Sequence, residues 1–329
     1  MSKGILSGIA AYTLWGFFPI YFKAIQAAPA LQTVAHRLAW SLVFLAAVVT
    51  LRRGWAGIRP ALNRRGLAIY LLAAVLLSFN WLVYIYGVNA GFILEASLGY
   101  FINPLVNILL GMIFLRERLS VSKWIPIGIA TAGVLYLTLS YGRLPWIALA
   151  LAFSFGFYGL TKKYSPLGSL HGLTMETALV FLPAVAYLVV VEVQGTCAFG
   201  HVPPITNLLL ALSGVITAIP LLLFSSAARA IPLTTLGMLQ YIAPTIQFLV
   251  GVLIYGEEFT PERVVAFSLI WLALVILTVG GAIEQRARRR LEVKQMSDNI
   301  AKILLNPPLL SSELPIERDT SLPRTIESK

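Results

Sequence analysis

The chain consists largely of apolar runs, each about as long as a helix needs to be to cross a bilayer. Roughly 20 mostly apolar residues span about 30 Å of hydrocarbon. Ten stretches meet that length: Gly4 to Phe22, Leu31 to Leu51, Gly66 to Val88, Glu95 to Leu115, Trp124 to Tyr141, Leu144 to Thr161, Gly172 to Val191, Asn207 to Ala228, Pro232 to Ile254 and Val264 to Ile283. Lipid offers no water to the peptide groups, so such runs must satisfy their own hydrogen bonds as helices. The predicted fold class is therefore an all-α membrane protein with ten transmembrane helices. With 58% of its residues hydrophobic and 12% charged, the chain carries more apolar surface than one soluble core would use.

A formal charge of +11 would suit nucleic acid, but Lys and Arg occur in short clusters between the runs, where membrane topology is encoded. No nucleic-acid partner is expected. With the amino terminus inside, one side holds Lys3, Arg52, Arg53, Arg59, Arg64, Arg65, Arg116, Arg118, Lys123, Lys162, Lys163 and Arg229, and the other keeps Lys23, Arg143 and Arg263. Both termini are thus expected in the cytoplasm, since cytoplasmic loops retain the positive charge. Lys3, the first run and Ala28-Pro29-Ala30 imitate a secretory signal, yet the repeat described below needs that run as a permanent helix.

Several chemistries drop out. The first Asp is Asp298, so aspartate-based metal or dyad chemistry is excluded from the main body. Cys197 is alone, no Cys/His spacing suggests a metal, and no phosphate-cradling G-x-x-x-x-G-K-[ST] motif occurs. Neither a cofactor nor a metal is expected, and His171 and His201 in loops receive no role. A membrane-embedded enzyme acting on a lipid-linked substrate is the alternative class. It lacks a nucleophile motif and an Asp to orient a His.

Sliding the chain by 140 residues on itself aligns Gly16-Phe17 with Gly156-Phe157, Lys23 with Lys163, Ala90 with Ala230 and Ile102 with Ile242. It also aligns Pro104 with Pro244, Gly111 with Gly251, Glu117 with Glu257, and Leu137-Thr138 with Leu277-Thr278. One offset across several spans indicates a duplicated five-helix unit: residues 1–141, then 142–283, then a basic and mixed-charge tail over 284–329. Because five is odd, the second copy enters the bilayer from the opposite side, giving inverted repeats that can rock about a shared site. The tail begins with Arg286, Arg288, Arg289 and Arg290, a cluster suited to anionic lipid, and continues as a solvated, disordered segment.

Polar groups inside the spans nominate a site. Tyr100, Pro104, Asn107 and Gly111 share one helical face, and Gln240, Pro244, Gln247 and Gly251 repeat it in the other half. Pro104 and Pro244 kink their helices and free the carbonyls of Tyr100 and Gln240, which need protein or a water-lined cavity beside them. A cavity lined from the third, fourth, eighth and ninth spans follows, with Asn80, Trp81, Tyr84, Glu95, Tyr100, Asn103, Asn107, Gln240, Tyr241 and Gln247 as candidate substrate contacts. Interhelical bonding alone is the competing explanation for each amide. His36, Arg37 and Glu176 sit at membrane depth, where a charge is costly, and are candidates for proton coupling or charge recognition. Glu95 could pair with Arg37. Arg116-Glu117-Arg118 is expected as a solvated helix end.

The stretches Leu94 to Leu119, Leu151 to Leu160, Leu236 to Pro244 and Leu253 to Phe259 resemble the RarD-like subgroup of the EamA family, within the drug/metabolite transporter superfamily. The likeness runs to about Ile283, and Glu95, Tyr100, Asn103, Pro104 and Tyr241 match the subgroup pattern. It implies two EamA repeats and a multi-pass place in the bacterial inner membrane. It further implies movement of small, often amphipathic organic solutes, often outward. The subgroup is associated with chloramphenicol sensitivity, and its resemblance supplies neither a physiological substrate nor an oligomeric state. The tail beyond Ile283 departs from the pattern.

Overall fold

A computed structural model of the chain describes residues 3–89, 92–119, 121–140, 144–256, 261–262, 264–266, 268–273, 275–276, 279–280 and 296–298. The chain divides into two units, Met1–Ile276 and Leu277–Lys329. The first holds α1 (Lys3–Gly16), α2 (Phe18–Ala24), α3 (Ala30–Leu51), α4 (Arg64–Asn89), α5 (Ile93–Phe114), α6 (Val121–Ser140), α7 (Trp146–Tyr164), α8 (Ser169–Val193), α9 (Pro204–Ala230), α10 (Leu233–Gln240) and α11 (Ile242–Tyr255). A 3₁₀ turn, Trp55–Ala61, links α3 to α4, and no strand occurs among the described residues. Further helical residues lie at 264–266, 268–273 and 275–276. Residues 279–280 are helical as well, while 267, 274, 277–278 and 281–283 of the tenth predicted span and the basic cluster at Arg286 to Arg290 lie outside the described residues.

By length and apolarity, six helical segments are able to cross a bilayer: Lys3–Ala24, Ala30–Leu51, Arg64–Tyr84, Ser169–Val193, Pro204–Ala230 and Leu233–Tyr255. Leu98–Phe114 and Val264–Ala273 are shorter apolar helices. The sixth predicted span, α7, is not among these six, and its residues show why. It carries Ser154, Gly156, Gly159, Thr161 and Lys162, all buried, so its polar groups meet protein rather than lipid. An interior helix of this kind needs no continuous apolar surface.

By residue number, a shift of 140 sets α1 against α7, α3 against α8, α4 against α9, and α5 against α10 with α11. Helix α4 packs on α7, and α9 on α1; α3 packs on α9, and α8 on α4; α5 packs on α7, and α11 on α1. Helix α3 meets its own counterpart α8, as α5 meets α10. Without a hydrophobic drive between helices in lipid, close approach through small residues holds such a bundle. A Cβ built on Gly214 of α9 would sit 2.3 Å from the Trp40 carbonyl oxygen of α3, and one on Gly4 2.7 Å from the Ala230 Cβ. Ser41 then donates to the Gly214 carbonyl at 3.2 Å, closing the α3–α9 contact with a hydrogen bond.

Proline acts differently in three of the spans. Helix α5 runs unbroken through Pro104, whereas the ninth span breaks at Tyr241, three residues before Pro244. The first span breaks at Phe17, two residues before Pro19. Pro19 has no N–H for the Trp15 carbonyl four residues earlier. The Gln247 side chain of α11 supplies the missing donor, Nε2 to the Trp15 oxygen at 3.1 Å.

Candidate functional site

Four helices, α3, α4, α8 and α9, enclose a narrow cavity with room for about one water molecule. Its polar lining is Ser41, Ser78, Trp81, Glu176, Thr177 and Thr217, set among leucines and Val180. Two buried charges stand at this space, and they are treated very differently.

Glu176, 2% exposed, lines the cavity and takes two partners from α7. Lys162, also 2% exposed, forms an ion pair and hydrogen bond with it through Nζ and Oε1. Tyr158 donates its hydroxyl to Oε2 at 3.2 Å. Lys162 and Tyr158 are one helical turn apart, so α7 presents both on one face. The Lys162 Nζ also lies 5.0 Å from the Tyr158 ring centre, and that ring stacks on Phe224 of α9 at 5.8 Å. The carboxylate is thus neutralised within the protein. Sequence reasoning assigned Lys162 to a cytoplasmic loop, and this is corrected here: a single carboxylate at depth requires a cation, and Lys162 is close enough along the chain to provide it.

Arg37, 7% exposed, meets no such compensation. Its Nε donates to Thr217 Oγ1 at 2.8 Å. Aromatic faces surround the rest of the guanidinium: Trp81 at 4.5 Å, Phe22 at 5.2 Å and Phe18 at 5.8 Å from its carbon. Such faces attract a cation through their quadrupole without cancelling its charge. Among the described residues no carboxylate lies within ion-pair distance of Arg37. Trp81 and Thr217 both line the cavity, so Arg37 stands directly behind its wall. The expected pairing with Glu95 falls on a side chain outside those described.

The other nominated residues fall into a second region. Asn107 Nδ2 donates to Gln240 Oε1 at 2.6 Å, joining α5 to α10 where both side chains are buried. Gly237 allows the approach, since a Cβ there would lie 2.6 Å from the Pro104 carbonyl oxygen. The fourth and ninth spans therefore close on each other, and the cavity is bounded instead by the second, third, seventh and eighth. Asn80 of α4 donates to the Leu151 carbonyl and to Ser154 Oγ of α7, each at 2.9 Å. Tyr84 and Tyr100 pack edge to face at 6.1 Å. Asn103 and Tyr241 are buried, and among the described residues neither the Asn103 Oδ1 nor the Tyr241 hydroxyl has a hydrogen-bond partner. His36 is buried with its ring 4.9 Å from Phe199 and its Nε2 unpartnered.

Glu117, read from sequence as solvated, instead caps α10. Its Oε1 accepts from the Leu233 N–H at 2.7 Å and its Oε2 from the Thr234 N–H at 2.8 Å. Pro232 precedes this helix without a capping side chain, so the distant carboxylate fills that role and complements the positive end of the helix. Phe18, Phe22, Tyr158, Lys162, Thr177 and Thr217 were all missed. The 140-residue offset held a usable signal, for it equates Phe18 and Phe22 with Tyr158 and Lys162.

Apolar spans, buried charges and a small internal cavity define a helical membrane transporter, and comparisons with known proteins agree. The EamA-like transporter family matches residues 2–139. The RarD protein of Streptomyces exfoliatus is 46% identical over 88% of this chain and 92% of its own. The RarD protein of Escherichia coli is 43% identical over 86% of this chain and 96% of its own. An uncharacterized transporter of Bacillus subtilis, YojE, is 44% identical over 87% and 97% respectively. One solved crystal structure shares the fold at a TM-score of 0.66 and 18% identity, covering 84% of this chain and 98% of that one. The chain belongs to the EamA-like transporter family as a RarD-like member.

Proposed function

We propose that the protein is a secondary transporter that exports small organic metabolites or drugs by alternating access, with its substrate held between two inverted five-helix repeats. The observation that carries this is the cavity itself: its walls come from α3 and α4 of one half and their counterparts α8 and α9 of the other. A site built at such a seam exposes one mouth or the other as the halves rock. The matched packing of α4 on α7 and α9 on α1 supports two related halves. The bacterial relatives, together with the distribution of Lys and Arg, support a multi-pass protein of the inner membrane with both termini cytoplasmic.

Within this scheme Arg37 is a substrate contact and Glu176 a fixed, paired charge, while His36, Tyr84, Glu95, Tyr100, Asn103 and Tyr241 remain candidates. Asn107, Gln240, Gln247 and Asn80 serve helix packing. Purified protein in liposomes, loaded with a mixture of labelled small metabolites, should release a subset faster than protein-free vesicles. Equal release for every solute, with and without an imposed pH difference, would overturn the proposal.

A further inference from the structure

Resting on that transport reading, we propose that the cavity recognises an amphipathic organic anion, a carboxylate on a flat or aromatic body, with Arg37 as the group that binds its charge. The inference begins with donor accounting. A guanidinium has five N–H groups, and it has no acceptor function of its own. One of them, on Nε, is taken by Thr217 at 2.8 Å, and no further acceptor among the described residues meets the others. Burying a cation without an anion costs several kcal/mol, so chains retain such groups at membrane depth where a ligand or pathway uses them.

The surroundings sharpen the ligand class. Among the described residues, the phenols of Tyr21, Tyr84 and Tyr100 are the ionisable groups in the electrostatic surroundings of Arg37, and a neutral phenol leaves its charge standing. At the other charged position Lys162 already cancels Glu176. The two positions together therefore leave one net positive charge, and it sits where Trp81 offers an indole face 4.5 Å from the guanidinium. A carboxylate accepts two parallel N–H bonds from the planar fork of an arginine. An adjoining ring would lie against Trp81, while Ser41, Ser78 and Thr177 supply hydroxyls for further polar atoms. A cationic solute would meet repulsion at Arg37, and a neutral one would leave the fork unfilled.

The test uses full-length protein in detergent and in liposomes, with phenylacetate, phenylacetamide and phenethylamine as matched probes, followed by longer arylcarboxylates. Binding is read by thermal stabilisation and by quenching of tryptophan fluorescence, with Trp81→Phe as the control for the quenched signal. The carboxylates are expected to bind at least tenfold more tightly than their amides, and Arg37→Gln to abolish that preference. Arg37→Lys, which keeps the charge but not the fork, should retain part of it and shows that loss in the glutamine variant is not misfolding. Equal binding of amide and carboxylate, tighter binding of the amine, no binding across the whole series, or an unchanged preference in a folded Arg37→Gln protein would each overturn the proposal. Carboxylate binding without flux would leave the recognition standing and remove the transport reading. Flux of a neutral or cationic solute with charge-blind binding would do the reverse.

Discussion

Glu176 lines the narrow cavity and Arg37 stands behind its wall, yet one charge is neutralised by its own protein and the other is not. Glu176 holds Lys162 and a tyrosine hydroxyl. Arg37 has a threonine oxygen and three aromatic faces. A closed pair contributes to how the helices fit together and offers little to a ligand. An open charge does the opposite. Stability effects should accordingly collect around Glu176, and recognition effects around Arg37.

The sharpest way to break this contrast is at Lys162. Lys162→Met leaves Glu176 buried without its cation, and removal of one partner from a buried pair costs about 3–5 kcal/mol. Thermal unfolding in detergent should show the largest loss of any variant considered. Pairing it with Glu176→Gln should return most of that loss, because two neutral groups avoid the stranded charge. A double variant as unstable as the single one would mean that the ion pair is not the source of the effect.

Arg37→Gln should move in the other direction. Its removal relieves a costly burial, so unfolding should shift by no more than about 1 kcal/mol, while flux of an accepted substrate falls about tenfold or more. A large stability loss here, with flux per folded molecule unchanged, would reverse the roles of the two charges. The Asn107–Gln240 bond extends the comparison to a buried neutral pair joined by a hydrogen bond. A double-mutant cycle with alanine at each should give a coupling of about 0.5–2 kcal/mol in unfolding, in the range of interhelical polar contacts. Asn107 and Gln240 substitutions that alter substrate preference without altering stability would place this seam in the binding site. Thr217→Ala is the mildest case. Losing one hydrogen bond that orients Arg37 should cost about 1 kcal/mol and raise KM a few-fold with kcat little changed.

Much of this molecule is legible in its residues, and the remainder is hidden for identifiable reasons. Apolar runs give the helical class, and the six strongest spans coincide with runs expected from sequence. The 140-residue offset sets α1 against α7, α3 against α8 and α4 against α9 by residue number alone. Depth alone singles out Arg37 and Glu176. Partner choice does not follow from depth. Lys162 looks like a topology signal because it adjoins Lys163 at a helix end, and only its pairing with Glu176 of α8 and the packing of α7 on α9 show that it is buried. Glu117 is similar, since its target is the amino end of α10, which Pro232 begins without a capping side chain of its own.

The amides taught a further lesson. Asn107 and Gln240 were nominated for a cavity because they repeat on matching faces, but matching faces at a seam can equally meet each other. Gly237 decides between these outcomes by letting α10 approach the backbone at Pro104. Gln247 was equally ambiguous until Pro19 and the exposed Trp15 carbonyl were seen opposite it. In both cases the determining residue lies on the partner helix, where one-chain periodicity does not reach.

The central claim is that the space between α3, α4, α8 and α9 opens by turns to the two sides of the membrane. Single cysteines at Ser78 and at Asn107, in a Cys197→Ser background that is otherwise free of cysteine, test it with a membrane-impermeant thiol reagent applied to either face of oriented vesicles. The account predicts that the cysteine at position 78 reacts from each face, that substrate slows both reactions, and that the cysteine at 107 stays protected. Reaction at 78 from one face only, whatever substrate is present, would contradict it.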